Sequence, residues 1–323
     1  MDYRILGRTG VKVSSLCFGT MSFGDIADEA ESARMFHRCR AAGINFFDCA
    51  NTYAGGRSEE ILGALIADCR DEIVLTTKVV SRTGADVNQE GASRRHIQIA
   101  VEESLKRLNT DRIDVYFLHH YDGETPIEES LGALDDLVRQ GKILYPAVSN
   151  WAAWQVMKAQ GIAERNGLAR IECLQPMYNL VKRQAEVEIL PMAAAEEIGV
   201  IPYSPLGGGL LTGKYAADGK ADAGRLIENR MYSKRYGLAD YYQSAADFAA
   251  HARERELQPA TLAVAWVMAH PAVTAPIIGA RNLKQLESSL AALDVSMTPE
   301  WYDEISALSA TPPPAHDRLE ELG

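Results

Sequence analysis

Eight short apolar runs recur along the chain, and segments with helical periodicity separate them. The runs are SLCFGTM (15–21), INFFDCA (44–50), EIVLTTKV (72–79), DVYFLHH (114–120), LYPAVSN (144–150), IECLQP (171–176), VIPYSPL (200–206) and TAPIIGA (274–280). Runs of this length and composition predict buried β-strands. Strand followed by helix predicts a parallel sheet with right-handed crossovers. Eight such repeats favour an α/β fold of the closed (β/α)8 TIM-barrel type.

Signals for helix starts support this alternation. Ser93 is a good N-cap, and apolar residues follow it at helical spacing. The segment TPIE (125–128) has the pattern of a capping box with proline at the first helical position. Ser58, which precedes two glutamates, predicts another helix start. An open doubly wound sheet is the alternative fold, but the sequence lacks its G-x-G-x-x-G fingerprint.

The length of the chain, 323 residues, with 47% hydrophobic and 24% charged residues, is enough for one sizeable core. We therefore expect a single domain over 1–323. Within it, residues 1–14 predict a hairpin that caps the barrel, and residues 212–240 form a long insertion after the seventh strand. Insertions of that length are usually functional loops, here for cofactor or substrate. Residues 311–323 form a C-terminal tail.

Charge and cysteine content narrow the class of protein. A formal net charge of −11 argues against nucleic-acid and membrane-surface partners, because these anionic partners bind to basic patches. Five widely spaced cysteines without a C-x-x-C motif favour a reducing compartment. With no leader or transmembrane run in the sequence, we expect a cytoplasmic protein. A homo-oligomer is compatible with the apolar helix faces, which can form either core or interface.

Ionisable side chains stand at the ends of three consecutive predicted strands. Asp48, Lys78 and His119 close strands two, three and four, and Tyr53 lies on the loop that follows Asp48. In a β/α barrel the reactive groups lie at the carboxyl ends of the strands, so these four should converge on one rim.

The four residue types suit the reduction of a carbonyl group. A carbonyl that accepts hydride needs a proton, and Tyr53 can supply it, although the reference pKa of tyrosine is about 10. A neighbouring ammonium, Lys78, should lower that pKa, and Asp48 should keep Lys78 charged and in place. His119 can donate a hydrogen bond to the substrate oxygen.

Each of these residues also has a simpler interpretation. A lone Asp or Lys at a strand end is more often a structural ion pair, and Tyr53 alone could be a rim aromatic. His119 and His120 suggest a metal site, but no third ligand stands at ligand spacing, and we expect no metal. The joint placement of the four therefore carries the catalytic hypothesis.

Two turns, the first of them rich in glycine, predict a phosphate site. Gly208 to Lys214 match G-x-x-x-x-G-K, but Tyr215 occupies the Ser/Thr position of a Walker motif, so we interpret the turn as a phosphate loop of a barrel. Gly279-Ala280-Arg281 ends the eighth strand, and an arginine at a helix start suits a phosphate. Because NADPH carries one phosphate more than NADH, a site for an additional phosphate favours NADPH. The alternatives are that the glycine-rich turn binds no ligand and that Arg281 is a solvent-exposed charge at a helix start.

The sequence resembles the aldo/keto reductase family, in particular the bacterial branch that is similar to potassium-channel β subunits and aryl-alcohol dehydrogenases. The similarity extends from the LGRTG hairpin to about residue 310. Its motifs are GTM (19–21), FFDCANTY (46–53), SEE (58–60), TTK (76–78), RLNTDRIDVYFLH (107–119), PIEESLGALDDLVRQGKI (126–143), VSN (148–150), QPMYNL (175–180), YSPLGGGLLTGKY (203–215) and PIIGARNLKQLESSL (276–290).

This resemblance implies a role for each matching residue. Tyr53 would be the general acid, with Asp48, Lys78 and His119 as its partners. The residues implied to bind NADP(H) are Thr20, Met21, Asp48, Ser149, Asn150, Gln175, Tyr203, Ser204, Pro205, Leu206, Gly207, Gly209, Lys214, Arg225, Gly279, Arg281, Gln285, Ser288 and Ser289. Tyr203 would stack on the nicotinamide ring, whose carboxamide Ser149, Asn150 and Gln175 would hold.

The chain departs from many members of the family at the adenine end. Ser288 and Ser289 stand where those members have Glu and Asn. The overall expectation is an NADPH-dependent reductase of an aldehyde or ketone. A redox-sensing regulatory protein that binds the cofactor and turns over slowly is the second hypothesis. A metal-dependent barrel hydrolase is the third.

Overall fold

A parallel sheet of eight strands forms the centre of the structure, a computed structural model that describes residues 1–215 and 224–321. An antiparallel hairpin precedes it, formed by β1 (Tyr3–Ile5) and β2 (Lys12–Ser14). The strands of the sheet are β3 (Cys17–Gly19), β4 (Phe46–Asp48), β5 (Val74–Val79), β6 (Ile113–Leu118), β7 (Ile143–Ser149), β8 (Cys173–Gln175), β9 (Gly199–Val200) and β10 (Ile277–Ile278). All eight predicted strands are confirmed.

The sheet closes on itself. Each strand from β3 to β9 pairs in parallel with the next strand in sequence, and β10 pairs with β3. Backbone hydrogen bonds from Thr274 N to Val200 O (2.8 Å) and from Ile277 N to Pro202 O (2.9 Å) join the last strand to β9. The (β/α)8 fold expected from the alternation is therefore confirmed.

Helices occupy the connections between the strands of the sheet, and two more follow the last strand. They are α1 (Glu29–Ala41), α2 (Arg57–Ile66), α3 (Arg94–Leu108), α4 (Ile127–Arg139), α5 (Ala153–Asn166), α6 (Ile189–Ala195), α7 (Arg225–Glu228), α8 (Arg230–Tyr236), α9 (Ala239–Glu254), α10 (Pro259–Ala269), α11 (Leu283–Leu290) and α12 (Pro299–Ser306). The insertion at 212–240 contains α7 and α8, while residues 216–223 lie outside the described part. No helix in the described ranges combines the length and apolar character needed to cross a bilayer.

Two layers of apolar side chains make up the core, and they follow the alternation of the strands. In β4, Phe46 belongs to the cluster inside the barrel, whereas Phe47 packs between the sheet and the helices. The hairpin also contributes to the inner cluster, through Leu6 and Val13. The hairpin therefore plugs the end of the barrel where the strands begin, which leaves the carboxyl ends of the strands for a site.

Two predicted helix starts are wrong in detail. Helix α2 begins at Arg57, so Ser58 lies inside the helix, and its hydroxyl donates to Thr20 O at 2.8 Å. The predicted capping box at 125–128 does not form, because Thr125 Oγ1 donates to Asp122 Oδ2 at 2.7 Å instead. In both cases a long-range or loop partner takes the hydroxyl that local sequence assigned to a cap. Ser93 caps α3 as expected.

Candidate active site

Lys78 is the centre of a buried polar cluster at the carboxyl ends of β4, β5 and β6. Its Nζ donates to both carboxylate oxygens of Asp48, each at 2.7 Å, and to Cys49 O at 2.6 Å. It also donates to Tyr53 Oη at 3.4 Å. His119 lies beside Tyr53, with ring centroids 6.1 Å apart and the rings nearly perpendicular. The structure thus brings together the four residues predicted from the strand ends.

Asp48 is fixed by more partners than Lys78 alone. Thr76 Oγ1 donates to its Oδ1 at 2.6 Å, and Gln175 Nε2 donates to the same oxygen at 2.9 Å. Asp48 is 2% exposed and Lys78 is 0% exposed, so the ion pair has little solvent screening. These donors fix the position of the carboxylate, which in turn orients the ammonium of Lys78.

Burial sets the protonation states of the groups around Lys78. Burial raises the pKa of Tyr53 to about 12; the charge of Lys78 acts in the opposite, expected direction but is outweighed. Burial, aided by the charge of Lys78, lowers the pKa of His119 to about 3. Burial by itself would lower the pKa of Lys78, but the charge of Asp48 and the neighbouring Tyr53 raise it overall. The cluster therefore holds a protonated phenol, a neutral imidazole and an ammonium.

A chain of hydrogen bonds leads from Asp48 to Tyr203 across the mouth of the barrel. Beyond Gln175, Ser149 Oγ donates to Gln175 O at 2.9 Å and accepts from Asn150 Nδ2 at 3.0 Å. Tyr203 Oη in turn donates to Asn150 Oδ1 at 2.7 Å. Asn150 has a φ of +58°, a strained conformation that its bond to His119 O helps to hold. The four residues implied to hold a nicotinamide thus form one connected strip.

The turn after β9 has the backbone of a phosphate loop. Gly207, Gly208 and Gly209 have φ values of +58°, +66° and +99°, which glycine adopts without strain. A Cβ on Gly209 would lie 3.3 Å from Lys214 Nζ, so the ammonium of Lys214 lies next to glycine backbone that carries no side chain of its own. Together with Ser204 (φ +59°), Pro205 and Leu206, the turn fits a pyrophosphate group.

Arg281 has a partner that the sequence did not suggest. Its Nη2 lies 3.7 Å from Glu228 Oε2, and its backbone N–H donates to Gln285 Oε1 at 3.0 Å. Glu228 is on α7, in the insertion, where no motif marked it. A carboxylate therefore shares the predicted phosphate end with the arginine.

Four other predicted residues are placed as follows. Gly279 is exposed, with only Gly19 O near the position of a Cβ, at 3.8 Å, so a ligand can approach its backbone. Ser288 is half-buried, whereas Ser289 is 1% exposed and its hydroxyl is enclosed, so the structure does not bring Ser289 to the surface. The side chain of Arg225 lies outside the described residues.

Aromatic side chains form a wall beside His119. Tyr121 packs edge-on against Trp151, with ring centroids 5.2 Å apart, and against Trp154 at 6.3 Å. Met21 is 46% exposed, while Thr20 is buried and donates to Asp48 O at 3.1 Å. Tyr121 and Trp151 follow β6 and β7, so these aromatic rings come from the loops at the carboxyl ends of those strands.

His119 and His120 are the residues that suggested a metal site. His120 is exposed, and its Nδ1 lies 3.2 Å from Tyr121 O, while His119 Nδ1 lies 3.4 Å from Ser81 Oγ. Across the described ranges, no group of three or more His, Cys, Asp or Glu side chains could hold a metal ion.

Sequence reasoning missed two residues that anchor the site from behind. Glu59 is completely buried on α2 and binds Thr77 and Arg107. Asn179 is also buried, and its Nδ2 donates to Ser204 O at 3.0 Å, behind the phosphate turn. Both lie in motifs that were noted, SEE and QPMYNL, but nothing local indicates that their partners come from distant segments.

Comparison with known proteins agrees with this geometry. The model of the aldo/keto reductase family matches residues 15–310. The chain is 39% identical over 312 residues to the uncharacterized oxidoreductase YrpG of Bacillus subtilis (strain 168), covering 93% of each chain. It is 37% identical over 322 residues to a probable voltage-gated potassium channel subunit beta of Oryza sativa subsp. japonica, covering 97% of this chain and 98% of that one. It is 32% identical over 332 residues to versiconal hemiacetal acetate reductase of Aspergillus parasiticus, covering 93% and 94%. The chain belongs to the aldo/keto reductase family.

Proposed function

We propose that the protein is an NADPH-dependent oxidoreductase that reduces an aldehyde or a ketone to an alcohol. The observation that carries the proposal is the cluster around Lys78, in which a protonated tyrosine and a neutral histidine flank a buried ammonium. Membership of a family of reductases supports the same reaction class. All five cysteines are free thiols, which suits a cytoplasmic enzyme.

Tyr53 acts as the proton donor. Because Lys78 donates to the phenol oxygen, the proton of Tyr53 is directed away from Lys78 and is available to a substrate oxygen. As that proton leaves, the phenolate that forms lies next to the ammonium, which stabilises it. Asp48 keeps the ammonium charged throughout.

His119 orients the substrate oxygen. A neutral imidazole donates one N–H and cannot protonate the substrate, so the ring positions the carbonyl while Tyr53 supplies the proton. The wall formed by Tyr121 and Trp151 packs against the rest of the substrate and excludes water.

The strip from Gln175 to Tyr203 would hold the nicotinamide, and the glycine turn with Lys214 would hold the pyrophosphate. Arg281 and Gln285 would receive the adenosine phosphate, which favours NADPH. When bound, the reduced cofactor supplies a hydride for the carbonyl carbon. The enclosed hydroxyl of Ser289 leaves Ser288 as the hydroxyl available near the adenine.

Replacing Tyr53 with Phe tests the role of the acid. We expect Tyr53→Phe to lower kcat by at least about 100-fold, because general acid catalysis contributes on that order, with little change in the Kd for NADPH. The assay follows NADPH oxidation with a carbonyl library that includes para-nitrobenzaldehyde. Full turnover by the variant would end the proposal, and a lower KM for NADH than for NADPH would contradict the cofactor assignment.

A regulatory, slow-turnover role is the second candidate. It is favoured by similarity over nearly the whole chain to proteins named as probable potassium channel β subunits. The intact cluster around Lys78 favours turnover instead. Tight NADPH binding with negligible oxidation across the whole carbonyl library would select the regulatory role.

A further inference from the structure

A completely buried carboxylate lies directly behind the cluster around Lys78, between the barrel and its helices. Glu59 is 0% exposed, and each of its carboxylate oxygens has a donor from a different segment. Thr77 Oγ1 donates to Oε1 at 2.5 Å, and Arg107 Nε donates to Oε2 at 2.7 Å. Neither partner is near Glu59 in sequence, so the carboxylate joins α2, β5 and α3.

The bond to Thr77 connects Glu59 to the strand that carries Lys78. Side chains alternate along β5, so that Thr76 and Lys78 both bind Asp48 while Thr77 points to the other face. A shift of Thr77 along or across the sheet would therefore move Lys78 with it.

Through Arg107, Glu59 also supports the turn that carries Tyr53. That turn runs from Tyr53 to Gly56 and leads directly into α2. A Cβ on Gly56 would lie 2.8 Å from Arg107 Cδ, so the arginine forms the floor on which the turn rests.

The backbone of this turn does not by itself fix its own conformation. Ala54, Gly55 and Gly56 have φ values of +48°, +63° and +97°, and α2 begins without a side-chain cap. For Ala54 this conformation is strained and persists only when surrounding contacts impose it. Glu59, two residues into α2, holds the arginine that supplies such a contact.

We propose that Glu59 is a positioning residue that, with Thr77 and Arg107, sets the hydroxyl of Tyr53 relative to Lys78 Nζ. The inference rests on the proposed role of Tyr53 as the proton donor. Glu59 contacts neither Tyr53 nor Lys78, but it anchors the turn that carries Tyr53 and the strand that carries Lys78. Because proton transfer requires close alignment, a displacement of about 1 Å in this pair should lower the rate by up to about 100-fold.

Three substitutions test the proposal in the full-length enzyme with NADPH and para-nitrobenzaldehyde. Glu59→Gln removes the charge, Thr77→Val removes one donor at nearly constant volume, and Thr77→Ser restores the hydroxyl. We expect kcat to fall by about 10- to 100-fold in Glu59→Gln and Thr77→Val and to recover in Thr77→Ser. The Kd for NADPH, measured by fluorescence, should stay within about twofold. The solvent deuterium isotope effect on kcat should increase, because proton transfer becomes slower.

Asp114, on the neighbouring strand β6, offers a matched control because it binds β5 at the end opposite Lys78. It accepts from Arg70 Nη2 at 2.7 Å and from Leu75 N at 3.0 Å, and both of its ion-pair side chains are mostly buried. Asp114→Asn should lower the unfolding free energy as Glu59→Gln does, yet leave kcat within about twofold of the wild type.

The outcomes separate this proposal from the one on which it rests. If Tyr53→Phe abolishes turnover while Glu59→Gln and Thr77→Val keep wild-type kcat, the positioning role alone is refuted. An equal fall of kcat in Asp114→Asn would also refute it, since the effect would then be one of general stability. If Tyr53→Phe retains turnover, the reaction assignment itself fails.

Discussion

Lys78 donates hydrogen bonds to three different neighbours, and the different roles of these bonds define the chemistry of the site. The bonds to Asp48 and Cys49 O fix the ammonium, and the longest one, 3.4 Å, reaches the phenol of Tyr53. Burial keeps the phenol protonated in the ground state, and in the proposed reaction the ammonium would stabilise the phenolate as it develops. Electrostatic stabilisation of this kind acts mainly on the transition state.

The pH dependence of carbonyl reduction should reflect these protonation states. His119, with a pKa of about 3 instead of the ordinary 6.5, stays neutral, and Tyr53, with a pKa of about 12, stays protonated. We therefore expect kcat/KM for the carbonyl to be nearly flat from about pH 5 to about pH 9, with no inflection near the ordinary histidine value. An initial-rate profile with saturating NADPH would measure it. A tenfold change in kcat/KM centred between pH 6 and pH 7, on the order of one titrating histidine, would contradict the assignment of a neutral His119.

Glu228 should weaken the preference for NADPH. Its carboxylate lies 3.7 Å from Arg281 and would compete with the additional phosphate of the proposed NADPH for the guanidinium. Both side chains are partly exposed, so we expect Glu228→Gln to lower the KM for NADPH by only about two- to fivefold and to leave that for NADH unchanged.

A matched control for Glu228 is Glu197→Gln, which removes a similar exposed pair, with Arg8, at 3.8 Å. That pair lies at the hairpin end of the barrel, and its loss should change neither KM. Equal shifts for NADPH and NADH in Glu228→Gln would show that the carboxylate does not distinguish the phosphate.

At the residue scale, the sequence predicts the groups that stand at strand ends and misses those that support them. Asp48, Lys78 and His119 were found because strands in a parallel barrel all end at one rim. Glu59 and Arg107, 48 residues apart, were missed because a buried ion pair leaves no local signature. The same holds for Glu228, whose partner follows the next strand. The net pKa of Tyr53 was also beyond the sequence, since it depends on how completely the barrel mouth is buried.

At the element scale, the hairpin of β1 and β2 is fitted closely to the barrel. Gly7 has a φ of +53°, and a Cβ there would lie 2.8 Å from Glu172 O and 3.0 Å from Gly199 N. All of its close neighbours are backbone atoms, which cannot rotate away. The turn of the hairpin thus rests on the start of β9 and the segment before β8.

Substituting the two hairpin glycines should separate steric fit from backbone strain. Gly10 also has a positive φ, +75°, but its Cβ position is open. Both Gly10→Ala and Gly7→Ala should lose about 1–2 kcal/mol of unfolding free energy from the left-handed conformation. Gly7→Ala should lose about 1–3 kcal/mol more from the clash, with kcat unchanged. Urea unfolding of both variants measures the difference, and equal losses would contradict the close fit.

The sequence predicts where strands and helices occur better than how they begin. Strands buried on both faces leave continuous apolar runs, which made all eight visible. Helix starts depend on which acceptor captures a hydroxyl. Ser58 binds Thr20, 38 residues away, instead of capping a helix, and that preference arises only when the barrel is assembled.

At the scale of the whole molecule, stability should depend on a carboxyl at the closed end of the barrel. Burial raises the pKa of Glu172, and neither Arg170, at 3.7 Å, nor the backbone N–H of Arg8 offsets this fully. Its Oε2 has no hydrogen-bond partner within the described ranges. A carboxyl with a higher pKa in the folded state weakens the fold as pH rises from its unfolded towards its folded pKa. The penalty is therefore larger at neutral pH than near the ordinary glutamate pKa of 4.5.

Glu172→Gln should therefore raise the Tm at pH 7. The advantage over the wild type should shrink as pH falls towards the ordinary glutamate value of 4.5, because the wild-type carboxyl then becomes protonated in both states. Thermal unfolding followed by circular dichroism across this range measures it. Glu164→Gln, on the exposed face of α5, is the control that should not change the Tm. A lower Tm for Glu172→Gln at pH 7 would show that its ion pair with Arg170 outweighs its burial.

Strand β5 has hydrogen-bonded polar side chains on both of its faces, and this bears on the order in which the protein folds during synthesis. All six residues of the strand are buried, yet Lys78 on one face and Thr77 on the other need a hydrogen-bond partner, here a carboxylate in each case, before water can leave. Both carboxylates, Asp48 and Glu59, precede the strand in the chain. As the nascent polypeptide leaves the ribosome from its N-terminus, β5 emerges with both partners already exposed to receive it.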